Sequence, residues 1–244
     1  MSNLEVEQDP ARAAWAEART RSIVRRRAGL LVGLALFGLL ATGCRLITPP
    51  PPQAVQWLVY GDSLSEQSAP YLAQHGTVGN RYFGGTAPCN WVPSVANDPA
   101  SFAPSKVLVQ FIGNLPACMN GRVPQTGYEH DLTTIVNFWK GRGVPVVMVI
   151  SPPTPTDQFA WARQAELNVA SNLNVPVNNA GQSVLTDTGQ FTFFLPCQAS
   201  ETPALGCGAE NTGQIRVRDA DGVHFGVASY SSGAERFATA ESHS

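Results

Sequence analysis

Val55-Gln56-Trp57-Leu58-Val59-Tyr60-Gly61-Asp62-Ser63-Leu64 is the stretch on which the fold turns. Its apolar run from Val55 to Tyr60 has the composition of a buried strand. The run breaks at Gly-Asp-Ser, and residues 64–73 then have helical composition. A strand that stops at a serine and opens a helix displays that serine at the rim of an α/β sheet. The helix N-terminus behind it offers partial positive charge and free N–H groups. Such a place suits a nucleophile whose attack creates an oxyanion. A capping role for Asp62 or Ser63 explains the same residues equally well, so this stretch alone leaves both readings open. It is not a G-x-S-x-G elbow, because Gly61 lies two residues before Ser63 and Ser65 two after.

Outward from this stretch, Lys106-Val107-Leu108-Val109-Gln110-Phe111-Ile112 reads as a second strand that ends at Gly113-Asn114. Residues 144–150 read as a third strand, closed by Pro152-Pro153, and residues 174–177 as a short fourth. Leu132, Ile135, Val136 and Trp139 recur at helical spacing, and Gly141 and Gly143 stop that helix. Further helices are expected over residues 157–173 and 231–240. Residues 86–105 hold Pro88, Pro93, Pro99 and Pro104 and read as a long loop. Strands that are apolar throughout and separated by helices imply a parallel sheet covered on both faces. The expected fold is an α/β three-layer α/β/α sandwich with a central parallel sheet, flavodoxin-like, binding ligands at the carboxyl ends of its strands. Ser63 and Asn114 both fall at such ends.

Near the C-terminus, Asp221-Gly222-Val223-His224 sets a carboxylate three residues before an imidazole. Serine needs a base to take its proton and donors to hold the oxyanion. An imidazole titrates near neutrality and can be that base, while an aspartate fixes its tautomer. His75, His130 and His243 have no aspartate at this spacing. Asp219 competes for the acidic role, and Asp62 reads as a bonding partner for the amides of its own turn.

Together, Gly61-Asp62-Ser63-Leu64 and Asp221-x-x-His224 resemble the first and last motifs of the SGNH hydrolases, the GDSL family of esterases and lipases. The resemblance covers residues 56 to about 240 and is loose in the middle motifs. It implies Ser63 as nucleophile, His224 as base and Asp221 as its orienting acid, with no cofactor. It also implies an oxyanion hole made by the Ser63 N–H, the Gly84 N–H (Gly85 as fallback) and the Asn114 side chain. The family's third motif, G-x-N-D, is altered: Gly113 directly precedes Asn114, and Leu115 follows where the acid would stand. The implied activity is hydrolysis of short acyl esters, since the domain has no long apolar stretch to serve as a lipid-binding lid. Acyl transfer onto an envelope glycan and a non-catalytic binding module are the alternatives. The intact Ser63, Asp221 and His224 argue against the module.

The chain has 244 residues, 43% hydrophobic and 14% charged, and a formal net charge of −2. That balance offers no basic excess for neutralising phosphates, so a nucleic-acid partner is not expected. Residues 1–27 read as a polar tail in which Arg19, Arg21, Arg25, Arg26 and Arg27 crowd toward the end. Residues 28–44 carry no charge and read as a signal peptide or membrane anchor. Three versions are open: an uncleaved anchor, a weak twin-arginine signal, or a lipoprotein signal with Cys44 lipidated. Residues 45–54 read as a proline-rich linker in polyproline II conformation, and residues 55–244 as the domain. All three versions place the domain outside the cytoplasm. The four remaining cysteines show no C-x-x-C spacing, so no metal is expected. In an exported domain they read as two disulfides. Of three pairings, Cys89–Cys118 with Cys197–Cys207 is the expected one.

Overall fold

The computed structural model describes residues 49–225 and 232–244. The arginine cluster, the apolar run 28–44, Cys44 and the first residue of the expected last helix lie outside the described residues. Five parallel strands form the central sheet in the order β2-β1-β3-β4-β5. They are β1 (Gln53–Gly61), β2 (Val78–Tyr82), β3 (Phe102–Gln110), β4 (Val146–Val149) and β5 (Val177–Asn178). The long helices are α1 (Ser63–Leu72), α4 (Pro124–Lys140), α5 (Ala160–Leu173) and α6 (Ser232–Ser242), with the short α2 (Pro88–Trp91) and α3 (Asp98–Ser101) between β2 and β3.

The central strands are apolar on both sides because both sides are covered. Leu58, Tyr60, Val107, Val109, Val146 and Met148 face one core, which they share with Tyr128, Leu132, Ile135, Val136 and Trp139 of α4 and Ala162, Ala165 and Val169 of α5. Trp57, Val59, Leu108, Val147 and Val149 face the other, shared with Leu64 and Leu72 of α1 and Ala234, Phe237 and Ala238 of α6. Each fully buried Leu, Ile or Val side chain contributes roughly 1.5–3 kcal/mol. That burial, more than helix propensity, holds the layers together.

From β1 the chain goes to β2 on one side and returns to β3 on the other. The loops leaving β1 and β3 therefore diverge, and a crevice opens between their carboxyl ends. Ser63 follows β1 and Asn114 follows β3, so the topology places both at this switch point.

Several expectations need correction. Residues 86–105 are not one loop: they fold into α2, a 3₁₀ turn at Val95–Asn97 and α3, and β3 begins at Phe102. Pro88 and Pro99 open the two short helices, where a missing N–H costs nothing. The edge strand β2 was not anticipated. Its Val-Gly-Asn-Arg-Tyr sequence is largely polar because only β1 flanks it. The fourth strand lies at Val177–Asn178 and not at 174–177, because Asn174 adopts a left-handed conformation that caps α5. An antiparallel hairpin of β6 (Phe194–Pro196) and β7 (Gln214–Arg216) was also not anticipated. It is stapled by Cys197–Cys207 and fastened to α6 by a buried ion pair, with Arg236 Nε 2.7 Å from Glu201 Oε1.

Candidate active site

Ser63 is the first residue of α1, and Asp62 caps it. Asp62 Oδ1 accepts from Leu64 N at 3.1 Å. The other oxygen, Oδ2, accepts from Ile112 N at 2.7 Å and Asn114 Nδ2 at 3.1 Å. One buried carboxyl thus ties the serine turn to the loop after β3. Burial pushes that carboxyl up to about 7, and the three N–H donors offset the rise only in part. Gly61 is required by close approach, since a Cβ there would sit 2.0 Å from Ser65 Oγ and 3.0 Å from Gln110 O. Beneath the turn, Ser65 donates to Gln110 and Gln110 donates to Ser151, a buried polar chain from α1 through the end of β3 to the loop after β4.

The structure brings Ser63, His224 and Asp221 together from opposite ends of the chain. Ser63 Oγ lies 2.9 Å from His224 Nε2, and His224 Nδ1 lies 2.6 Å from Asp221 Oδ2. Asp221 Oδ1 accepts from Val223 N at 2.8 Å and His224 N at 3.0 Å. Partial burial acts to raise the Asp221 carboxyl, but the His224 ring and the two amides outweigh it and hold the group below its ordinary range. Asp219, the competing acid, turns into its own loop: its carboxylate accepts from Ala220 N and its N–H donates to His224 O at 2.8 Å. Gly222 makes this turn with φ 69°, in the left-handed region, and packs so tightly that a Cβ would meet Pro155 at 2.6 Å.

Two residues that support this loop were missed by sequence reasoning. Arg218 is fully buried, donates to Val223 O at 2.6 Å and stacks over Phe225. Gln67, one turn into α1, accepts from Phe225 N at 3.0 Å. Their amino-acid types carry no signal of either role, since an arginine beside a D-x-x-H is ordinarily solvent-exposed.

The proposed oxyanion donors sit beside the serine but are engaged elsewhere. A Cβ on Gly84 would lie 3.8 Å from Ser63 Cβ, yet the Gly84 N–H donates to Glu66 Oε2 at 2.8 Å. Gly85 has φ 77° and forms the turn. Asn114 Nδ2 is shared between Asp62 and Thr86 O, the latter at 3.2 Å. The Tyr128 hydroxyl donates to Asn114 O at 2.6 Å. Asp62 and Tyr128 thus brace the loop that lacks the usual acid after the asparagine. Disulfide Cys89–Cys118 joins α2 to the segment after Asn114. Among the described residues, no group of three or more His, Cys, Asp or Glu side chains is placed to hold a metal ion.

No family model and no curated protein matches the sequence. Solved structures do. One, described as a lipolytic protein of the G-D-S-L family from Desulfitobacterium hafniense, shares 15% identity with a TM-score of 0.51, covering 77% of this chain and 97% of its own. Another, described as a GDSL-like lipase from Bacteroides thetaiotaomicron, shares 12% identity with a TM-score of 0.51 over 77% of this chain and 88% of its own. A third, described as an acylhydrolase from Bacteroides fragilis, shares 15% identity with a TM-score of 0.50 over 79% and 89%. The chain has the SGNH-hydrolase fold. Within that fold, the five-stranded parallel sheet and its covering helices put Ser63 at the mouth of the switch-point crevice, and the loop before α6 brings His224 over it.

Proposed function

We propose that the chain is a serine esterase that hydrolyses short acyl esters outside the cytoplasm, at the cell envelope. The observation that carries this reading is the hydrogen-bonded series Ser63–His224–Asp221. Ser63 Oγ attacks the ester carbonyl carbon while its proton passes to His224 Nε2. The carbonyl electron pair moves onto oxygen, where the Ser63 N–H, Asn114 and a released Gly84 N–H hold it. Collapse of this intermediate breaks the bond to the alcohol, which leaves with the proton from His224. Water, deprotonated by His224, then attacks the acyl-serine, and the acid departs as Ser63 regains its proton. Asp221 keeps the Nδ1 proton of His224 in place and stabilises the transient imidazolium.

The two disulfides support an oxidising compartment, and the apolar run 28–44 supports export. No helix among the described residues is long and apolar enough to cross a membrane. A fluorophosphonate probe tests the reading. It should label the protein, Ser63→Ala should abolish labelling together with ester hydrolysis, and labelling that persists in the variant would sink the assignment.

A further inference from the structure

The carboxylate of Glu66 stands where a charge-stabilising site should not have one. Glu66 lies three residues after Ser63 on α1, solvent-exposed, and takes the N–H of Gly84. Among the described residues it forms no ion pair. Its charge reaches Tyr82, whose hydroxyl is pushed up by burial first and then by Glu66. Directly before Gly84, Phe83 projects its ring into solvent at 63% exposure, among the largest apolar exposures of the described residues. A carboxylate therefore holds the Gly84 N–H, and an exposed aromatic residue directly precedes that glycine.

We propose that Glu66 and Phe83 form a cation-selecting rim and that the site prefers esters whose alcohol or acyl part carries a positive charge, a quaternary ammonium above all. This rests on the esterase reading. With a neutral ester, the Glu66 carboxylate keeps the Gly84 N–H occupied and repels the oxyanion that forms beside it, so transition-state stabilisation is lost. A substrate cation reverses both effects. It draws the carboxylate off Gly84 by pairing with it, freeing the donor, and it cancels the repulsive charge. The Phe83 ring adds an attraction that an ammonium gains and a neutral group does not. The same arrangement disfavours anionic esters by like-charge repulsion, so selection works through rejection as well as attraction.

The test compares butyrylcholine with its uncharged carbon isostere, in which a tert-butyl group replaces trimethylammonium, on the full chain. The wild type should favour the choline ester in kcat/KM by about tenfold or more. Glu66→Gln, which removes the charge and accepts the Gly84 N–H only weakly, should close that gap mainly by raising kcat/KM for the neutral ester. Phe83→Ala should narrow the gap from the other side, by weakening KM for the choline ester. Equal rates in the wild type, a gap that survives Glu66→Gln, or slower turnover of both esters in that variant would overturn the proposal, the last by showing that the Glu66 charge braces Gly84. Ser63→Ala, run alongside, separates the two levels. Hydrolysis that depends on Ser63 but ignores charge defeats only this inference, whereas hydrolysis that survives Ser63→Ala defeats the esterase reading.

Discussion

On one side of Ser63, the loop carrying Asp221 and His224 is fastened at every turn. Asp221 accepts two backbone N–H groups, Asp219 N holds His224 O, Arg218 holds Val223 O, and Gln67 holds Phe225 N. Every one of these bonds leaves the serine–imidazole contact in place. On the other side, the donors proposed for an oxyanion are bonded to something else: Gly84 to Glu66, Asn114 to Asp62 and Thr86. Under the proposed mechanism, the proton-transfer half of the site is assembled before substrate arrives, while the charge-stabilising half must exchange partners first. Exchange of this kind lets a site use binding energy from the correct substrate to assemble itself, and it lowers the rate with substrates that cannot supply that energy.

The largest expected effect lies on the ready side. His224→Ala removes the base and should lower kcat by roughly 10⁶-fold, with the fold intact by circular dichroism, because the ring is partly exposed. A loss below about tenfold would mean that the preassembled contact is not the catalytic one, and the comparison between the two sides would collapse.

Next comes Asn114. If its amide leaves Asp62 and Thr86 to meet the oxyanion, Asn114→Ala should cut kcat by about 10²–10³-fold, the effect of deleting one such donor. KM should hardly move. If the amide stays with Asp62, the variant should instead lose stability, because the buried Asp62 carboxyl loses one of its three donors, and kcat should fall much less. Parallel kinetics and thermal melts separate the two outcomes.

The Cys89–Cys118 disulfide sharpens the same contrast at smaller amplitude. It links α2, which follows the Gly84 turn, to the segment after Asn114, and so spans the half that must rearrange. Closing this loop should stabilise the fold by about 2–4 kcal/mol. Replacing both cysteines with serine should lower the melting temperature and reduce kcat several-fold with little change in KM. Breaking Cys197–Cys207, on the hairpin behind α6, should lower the melting temperature alone. Equal kinetic effects from the two would show that neither disulfide serves the oxyanion side.

The sequence made the ready side legible and the other side less so, for a physical reason. A buried parallel strand must be apolar on both faces, so β1, β3 and β4 announced themselves, and with them the positions of Ser63 and Asn114. The D-x-x-H spacing is a local feature in which Asp221 and His224 share one short turn, so it too is visible in the chain. The edge strand β2 carries little burial, and its polar composition hid it. The short helices between β2 and β3 hid behind prolines that also suit loops. Arg218, Gln67 and Glu66 act through contacts between residues distant in the chain or one helical turn apart. Their side chains are ordinary surface types, and nothing in the order of residues says that Arg218 is buried or that Glu66 reaches Gly84.

The smallest effect concerns what lies beneath the nucleophile rather than around it. Helix α6 packs on α1, the helix that begins with Ser63, and Glu241 is fully buried on α6. Burial drives the Glu241 carboxyl up to about 8, and the hydroxyl of Ser68 on α1 offsets the rise only in part. A folded-state value above the unfolded one means that the folded chain keeps its proton longer. Below roughly pH 4.5 both states are neutral at this group and it costs nothing. As pH rises, the unfolded chain ionises while the folded chain does not, so stability falls until the folded group titrates near 8 and then levels off. Asp62 adds a slope of the same sign that ends near 7. Glu241→Gln should therefore raise the melting temperature at pH 8.5 by about 3 °C or more, the shift produced by roughly 1 kcal/mol in a domain of this size, and leave it unchanged at pH 4. A residual decline should remain in the variant, because Asp62 and the buried Glu166 carboxyl are also raised by burial and contribute slopes of the same sign. Because Glu241 touches α1 and neither half of the site directly, kcat at pH 7 should stay within about twofold of wild type. A larger change would mean that the packing of α6 sets the position of Ser63, and that the readiness of the proton-transfer side depends on the buried carboxyl as much as on the loop above it.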